Sequence, residues 1–318
     1  MSVGPALLLG WLALSCDASQ GATRVPDPTT AESAAREGTD GVRPDRAAGR
    51  PAPALDAIAC SAPERLGSLP AELPEASGAA PAPRRGELWT HNDSKQAPML
   101  FRIDVRGRIA QRVRLTERIV DWEDLAVARC GSASCLYVAD IGDNLHARAH
   151  VRIIRLREPA PRDTSAGAGD SFPFRYPDGP ADAEAIFVLP GERVHVITKG
   201  RNRPATLYRY PGRLRSDTVT LERVRALSEG LAQIPEMVTG ASATRDGHHV
   251  AIRSYGFVDL FNVRNGELVA AGRVDLASLG ERQGEGVALR DDGEVLLVSE
   301  RGPGGRAGAI ARVRCALP

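Results

Sequence analysis

Lysine is almost absent from this 318-residue chain. Lys95 and Lys199 are its two lysines, and arginine supplies the rest of the 41 basic residues. They stand against 40 acidic residues, for a net charge of +1. With no basic surplus and no clustered Lys/Arg face there is no general field for a polyanion, so nucleic acid is excluded as a partner. The arginine bias reads as GC-rich coding. Long helical periodicity is missing too, and no 3.6-residue pattern competes with the β-rich runs. No Gly-x-Ser-x-Gly precedes a helix, which removes the nucleophile-elbow hydrolases and leaves Ser94, Ser254 and Ser299 without a nucleophile's setting. No histidine stands at zinc-finger spacing from Cys130 and Cys135. Asp140-Ile141-Gly142-Asp143-Asn144 lacks EF-hand spacing.

What is present begins with a leader. Residues 4–15 are apolar but too short to span a bilayer as a mature helix, and they fit the core of a secretory signal peptide. Ala13-Leu14-Ser15-Cys16 has the form of a bacterial lipobox, with Leu14 larger than usual. Two outcomes stand: Cys16 carries a lipid anchor, the reading slightly ahead, or the peptide is cut a few residues later and Cys16 is discarded. Residues 17–58 are rich in Ala, Pro, Gly, Arg, Thr and Asp. They cannot bury enough apolar surface to offset their ordering entropy and read as a disordered tether. Without Cys16, four cysteines remain. Export favours two disulfides over four buried thiols: Cys130–Cys135 around a small loop, and Cys60–Cys315 tying the ends of a domain spanning residues 59–318.

That domain carries an internal repeat. Leu88-Trp89-Thr90, Leu136-Tyr137-Val138, Val194-His195-Val196-Ile197, Val250-Ala251-Ile252 and Val295-Leu296-Leu297-Val298 are β-rich runs. About ten residues before each lies a short segment of small and apolar residues, centred on Gly78, Glu123, Glu184, Gly240 and Glu285. A third run follows each pair, from Met99, Val151, Ala205, Val258 and Ala309. Fourth runs follow in places, as at 111–115 and 219–223. Turn signals such as Arg264-Asn265-Gly266-Glu267 punctuate them. Three or four meandering strands per repeat make a propeller blade. The expected fold is an all-β five-bladed propeller, with room for a sixth blade in the two long intervals. The last repeat ends before a fourth strand, which the segment around 66–69 would supply from the N-terminal side, closing the ring.

Propeller topology then orders the polar residues. The start of each inner strand and the end of the next lie on one face. Three blades place a Glu there (Glu123, Glu184, Glu285), with Asp121, Asp124, Asp182 and Gln283 beside them. The loops after the second strands add His91, Asn92, Asp93, Asp140, Lys199, Arg253 and Arg301. Clustered carboxylates repel one another. Either a hard cation such as Ca²⁺, which takes six to eight oxygen ligands, or ion pairing with Lys199, Arg253 and Arg301 would relieve them. His248-His249, in a hairpin turn on the opposite face, reads as solvated, and Trp89 and Trp122 as blade core.

Leu88 to Ser94, Asp121 to Ala126 and Asp140 to Asn144, with Asp182-Ala183-Glu184-Ala185, Thr198-Lys199 and Gln283-Gly284-Glu285-Gly286, resemble a family of exported bacterial propeller proteins, most without an assigned activity. More distantly the inner-strand starts resemble phytase-like esterase propellers and the gluconolactonase/paraoxonase group. That resemblance implies calcium in the channel and hydrolysis of phosphate esters or lactones, at the level of fold.

Two functions are therefore expected. The first is a calcium-dependent hydrolase of esters, lactones or phosphates. Glu123, Glu184, Glu285, Asp140 and Asn92 would hold the metal, His91 or Asp93 carry the proton, and Lys199 or Arg253 steady negative charge. The second is a non-catalytic binding module for a cell-surface ligand. In either case the chain is expected to act as a monomer in the bacterial periplasm or cell envelope, touching the membrane through an N-terminal lipid anchor.

Overall fold

The apolar runs form strands, and each small-residue segment is antiparallel to the run that follows it. The computed structural model describes residues 57–93, 97–201, 203–227 and 237–318. The leader, Cys16, the tether up to residue 56 and Ser94 lie outside the described residues. In chain order, β1 (Ala59–Cys60) and β2 (Glu64–Ser68) precede a blade of β3 (Ala76–Pro81), β4 (Glu87–Asn92), β5 (Met99–Asp104) and β6 (Ile109–Leu115). Next come β7 (Asp124–Cys130), β8 (Ala133–Asp140), β9 (Val151–Arg157), β10 (Ser165–Ala166) and β11 (Asp170–Arg175). The third group is β12 (Ala183–Leu189), β13 (Arg193–Thr198), β14 (Thr206–Arg209), β15 (Val219–Thr220) and β16 (Glu222–Ala226). The fourth is β17 (Val238–Ala243), β18 (His249–Ser254), β19 (Phe257–Arg264) and β20 (Glu267–Asp275). The chain ends on β21 (Gly284–Leu289), β22 (Glu294–Ser299) and β23 (Ala309–Ala316).

These strands make five sheets, the five blades of an all-β propeller. The last blade is completed from the N-terminal side: β2 pairs antiparallel with β23, and β1 extends the same edge with Cys60 opposite Cys315. Both disulfides, Cys60–Cys315 and Cys130–Cys135, are formed. They point to an oxidising, extracytoplasmic location. Among the described residues no helix is long and apolar enough to cross a membrane.

The long intervals hold edge strands instead of a sixth blade. β10 lies parallel to β6 of the preceding blade, and β15 lies parallel to β11. The run expected as a single fourth strand at 219–223 is therefore split. Val219 and Thr220 belong to the second blade, while β16 completes the third against β14. The Asn265-Gly266 hairpin forms with both residues at positive φ, the backbone a two-residue hairpin turn needs. His249 departs from expectation. It is buried, with Nδ1 3.0 Å from Asn262 Oδ1, while His248 is exposed.

The hydrophobic core is divided into five clusters, one between each pair of adjacent blades. Trp89 and Trp122 both lie in the cluster between the first two blades. Strands are covered on both faces, so β13, β18 and β22 are apolar without clean alternation. At the axis the five inner strands β3, β7, β12, β17 and β21 contact one another around the ring, which explains their small residues. A Cβ at Gly78 would lie 2.4 Å from Asp124 Cα, and one at Gly240 would lie 2.8 Å from the Glu285 carbonyl oxygen.

Side chains lace these strands together. Ser77 Oγ donates to the Glu123 carbonyl at 2.7 Å, and Thr239 Oγ1 to that of Gly284 at 2.8 Å. Asp124, fully buried, binds amides from three other blades. Its Oδ2 accepts from Ile186 N at 3.0 Å and Ala241 N at 3.1 Å, its Oδ1 accepts from Leu125 N at 2.8 Å, and the Ala79 amide also reaches it. Burial drives the Asp124 pKa up, and the four amide donors oppose that drive.

Candidate functional site

The acidic residues at the starts of β7 and β12 meet at one place. One carboxylate oxygen each from Asp93, Asp121 and Glu123 lie within 4.8 Å of one another, and so do one each from Glu123, Asp182 and Glu184. Glu123 belongs to both groups, so five carboxylates from three consecutive blades form one run. Asp121 and Glu123, like Asp182 and Glu184, are two residues apart, the spacing that returns an extended chain to the same side. Glu123, Asp182 and Glu184 are buried, while Asp93 and Asp121 are half-buried.

The loop after β8 covers the cluster. Gly142 N donates to the Asp121 carbonyl at 3.0 Å, and Asp143 N donates to Asp182 Oδ1 at 3.0 Å. A Cβ at Gly142 would lie 2.1 Å from Glu123 Oε1 and 2.5 Å from Asp121 Oδ2. The absence of a side chain there is what admits both carboxylates. The loop is itself tied: Asp143 accepts the Ala147 and Arg148 amides, and Arg148 Nη1 donates to the Gly142 carbonyl at 2.7 Å.

Electrostatics follow from this crowding. Burial, then repulsion from Glu184, Asp121 and Asp93, pushes the Glu123 carboxyl well above the usual carboxylate range. Burial raises Glu184 to about 7, against the pull of Lys199. Burial, then Glu184 and Glu300, raises Glu285 to about 8. Lys199 Nζ donates to Glu184 Oε1 at 2.6 Å. Burial works against its charge, but Glu184 outweighs burial and holds the ammonium above its ordinary pKa.

The other residues singled out from the sequence are placed differently. Asp140 is outside both carboxylate groups. Its oxygens accept from Arg148 at 2.8 Å, Arg152 at 3.0 Å and the amide of Asp121 at 3.0 Å. It anchors the backbone that carries Asp121 and faces no ligand. Asn92 is engaged with the segment before β3, its Oδ1 accepting from Glu75 N and its Nδ2 donating to the Glu72 carbonyl. Glu285 is absent from both groups, although its charge is coupled to Glu184 and Lys199.

Arg253 is fully buried. It donates to the Gly286 and Val298 carbonyls at 2.8 Å and pairs with Glu281 at 2.5 Å, so it pins the fifth blade's inner strand and cannot meet a substrate. His91 is also fully buried, its ring 4.0 Å from that of Trp122. Nδ1 donates to the Asn92 carbonyl at 2.8 Å, and burial lowers its pKa to about 4. A neutral imidazole so enclosed is no proton carrier for an outside molecule. Asp93, expected in that role, lies among the clustered carboxylates. Asp121 and Asp182 were noted only as neighbours of the Glu positions. The signal that promotes them is the Asp-x-Glu pattern opening two successive blades.

No protein-family model matches the sequence, and no curated protein matches it. Among solved structures the chain is distantly similar to bacterial β-propellers. The PQQ-bound aldose sugar dehydrogenase of Streptomyces coelicolor is 11% identical, with a TM-score of 0.49 over 82% of this chain and 99% of that one. A gluconolactonase of Xanthomonas campestris is 12% identical, with a TM-score of 0.44 over 84% and 99%. A catalytically inactive virginiamycin B lyase of Staphylococcus aureus, with quinupristin, is 9% identical, with a TM-score of 0.38 over 81% and 99%. Similarity this distant says nothing of substrate or reaction.

Proposed function

We propose that the chain is an exported, metal-dependent hydrolase of esters, lactones or phosphates, with Ca²⁺ as the cation of the acidic cluster. The observation that carries this reading is Glu123, shared by two three-carboxylate groups whose oxygens approach within 4.8 Å. Carboxylates gathered this closely repel one another, and a cation held among them would relieve that repulsion. The donors are hard oxygens with no His or Cys among them, which suits Ca²⁺ and disfavours zinc. The close approach of Gly142 to Glu123 and Asp121, which a Cβ would block, lets the two carboxylates stand together as the same reading requires.

Asp93, Asp121, Glu123, Asp182 and Glu184 would hold the ion. Once bound, the cation supplies Lewis-acid polarisation of a substrate oxygen or an activated water. Asp140 keeps Asp121 in place through its amide. Lys199 orients Glu184 and offers a fixed positive charge to an oxyanion. Glu285 replaces His91 as proton donor, because its carboxyl keeps a proton at neutral pH. A secretory leader, a tether ending before Ile58, which is buried in the core of the last blades, and a lipid on Cys16 would place the domain at the periplasmic or outer cell envelope.

The second reading, a binding module, draws support from Val120 (56% exposed) and Leu145 (87% exposed), two apolar side chains beside the acidic loops. One titration and one assay separate the readings. Calcium is titrated calorimetrically into the full chain and into Glu123→Gln, and both are assayed on ester, lactone and phosphate panels. Micromolar binding abolished by the variant, with turnover, is expected. Absence of calcium binding by the wild type sinks the metal reading. Calcium binding with no turnover on any panel favours the module.

A further inference from the structure

A cavity of about 460 Å³ opens beside the acidic cluster, at the loops joining the second and third blades. Its inner wall includes Asp182, one of the clustered carboxylates, and Lys199, the partner of Glu184. A molecule in the cavity would therefore touch the cluster from the side. The size suits a sugar or a nucleoside-sized ligand. Pro180, Pro204 and the ring of Tyr208 give it an apolar wall.

The rim is cationic. Arg201 and Arg203 line it and are exposed, and neither forms an ion pair among the described residues. The carboxylate on that side, Asp178, is already engaged: Tyr208 Oη donates to it at 3.0 Å, and Arg223 approaches at 3.6 Å. Two guanidinium groups without an ion pair among the described residues, at the mouth of a partly apolar cavity, suit a carboxylate or phosphate, whose oxygens match their planar donors.

We propose that this cavity is the substrate pocket of the acidic centre and takes a small organic anion. The anionic group would sit against Arg201 and Arg203 and the body against Pro180, Pro204 and Tyr208. This deepens the hydrolase reading and rests on it. One consequence follows from charge. Five carboxylates repel an incoming anion, and a cation bound among them removes that repulsion. Calcium and the anion should therefore bind cooperatively, each tightening the other by the same factor.

The test uses three probes with one body: phenylphosphonate, benzoate and neutral benzyl alcohol. Each is titrated calorimetrically into the full chain in calcium and in chelator. The variants are Arg201→Ala/Arg203→Ala and, as a control for lost charge, the exposed Arg213→Ala. The expected result is that an anion binds about tenfold tighter than the alcohol and loses about tenfold in the double variant but not in the control. Calcium should tighten it about fivefold or more, and the better anion distinguishes a phosphate from a carboxylate substrate. Equal binding of all three probes, no binding, or an unchanged double variant overturns the pocket, even where calcium itself binds. Arginine-dependent anion binding in a chain with no calcium affinity supports the pocket and removes the metal instead.

Discussion

Replacing Asp124 with Asn changes one atom at the propeller axis and should cost more stability than almost any other isosteric change in the molecule. The wild-type carboxylate faces only donors: the amides of Ile186 and Ala241 on one oxygen, that of Leu125 on the other, and that of Ala79 beside them. A carboxamide offers one acceptor and one donor group. If its oxygen keeps Ile186 and Ala241, its NH₂ must face Leu125, and the bonds that remain lose their charge assistance. A hydrogen bond to a charged group contributes about 1.5–3 kcal/mol, against about 1 for a neutral one, and a stranded buried donor costs about 1–3 kcal/mol. Two weakened bonds and one stranded amide sum to about 2–7 kcal/mol. That is a large part of the roughly 5–15 kcal/mol that holds a typical domain. The assay is equilibrium unfolding in guanidinium, read as a lower midpoint at unchanged slope. The exposed Asp217→Asn serves as the control that leaves the midpoint where it was. A Asp124→Asn midpoint within about 1 kcal/mol of wild type would show that the blades are held at the axis by apolar packing alone and would refute the lacing.

The remaining predictions concern the cluster and the ring. Burial raises the folded-state pKa values of Glu184 and Glu285 to about 7 and about 8, above the ordinary carboxylate value of 4.5. The folded chain therefore holds protons that the unfolded chain releases. In chelator, stability should be highest below about pH 5 with respect to these groups and should fall as pH rises towards 8; unfolding midpoints at pH 5 to 8 check this, and a flat profile refutes it. Calcium must displace the Glu184 proton, so its affinity should rise over the same range, with a calorimetric enthalpy that depends on the buffer. Gly142→Ala puts a methyl within 2.1 Å of Glu123 Oε1 and should weaken calcium binding at least tenfold while leaving the unfolding midpoint little changed. Cys60→Ser/Cys315→Ser frees a closed loop with a sequence separation of 255 and should lower stability by about 3–5 kcal/mol; an unchanged midpoint would mean that pairing of β2 with β23 closes the ring unaided.

The blades were legible because each apolar run is bounded by turn residues and preceded by a small-residue segment that can approach the axis, at the same offset in every repeat but the second, where the Cys130–Cys135 loop lengthens it. The ring closure was legible because the last repeat lacks a strand and Cys60 and Cys315 mark its two edges. The pairing of Val219 and Thr220 with the second blade was not legible. A two-residue edge strand is chosen by what lies beside it in space, and local pattern carries no trace of that. The same holds in the site. Glu123 and Glu184 recur at equivalent places in the repeat, so their meeting could be read. Asp140 and Arg253 stand at the ends of second strands, where the repeat places ligand-facing residues, yet their partners Arg148, Arg152 and Glu281 lie 8, 12 and 28 residues away. A side chain's type says that it can bind a ligand, and its unseen partners decide whether it is free to.

The gathering of the acids at the second and third blades follows from how closely the inner strands approach one another. In the first and fourth blades the inner strand approaches its neighbour so closely that Gly78 and Gly240 have no room for a Cβ. A Glu at either place would force the ring open. The second and third blades, adjacent in the ring, are free to carry acids, and each carries an Asp-x-Glu pair. Their carboxylates gather on that side, and Glu285 is left outside the two groups. The cavity beside Asp182 and Lys199 lies at the same pair of blades. The glycines of the first and fourth blades thus also determine where charge can accumulate, and in the proposed pocket a ligand would meet that charge beside Asp182 and Lys199 of the third blade.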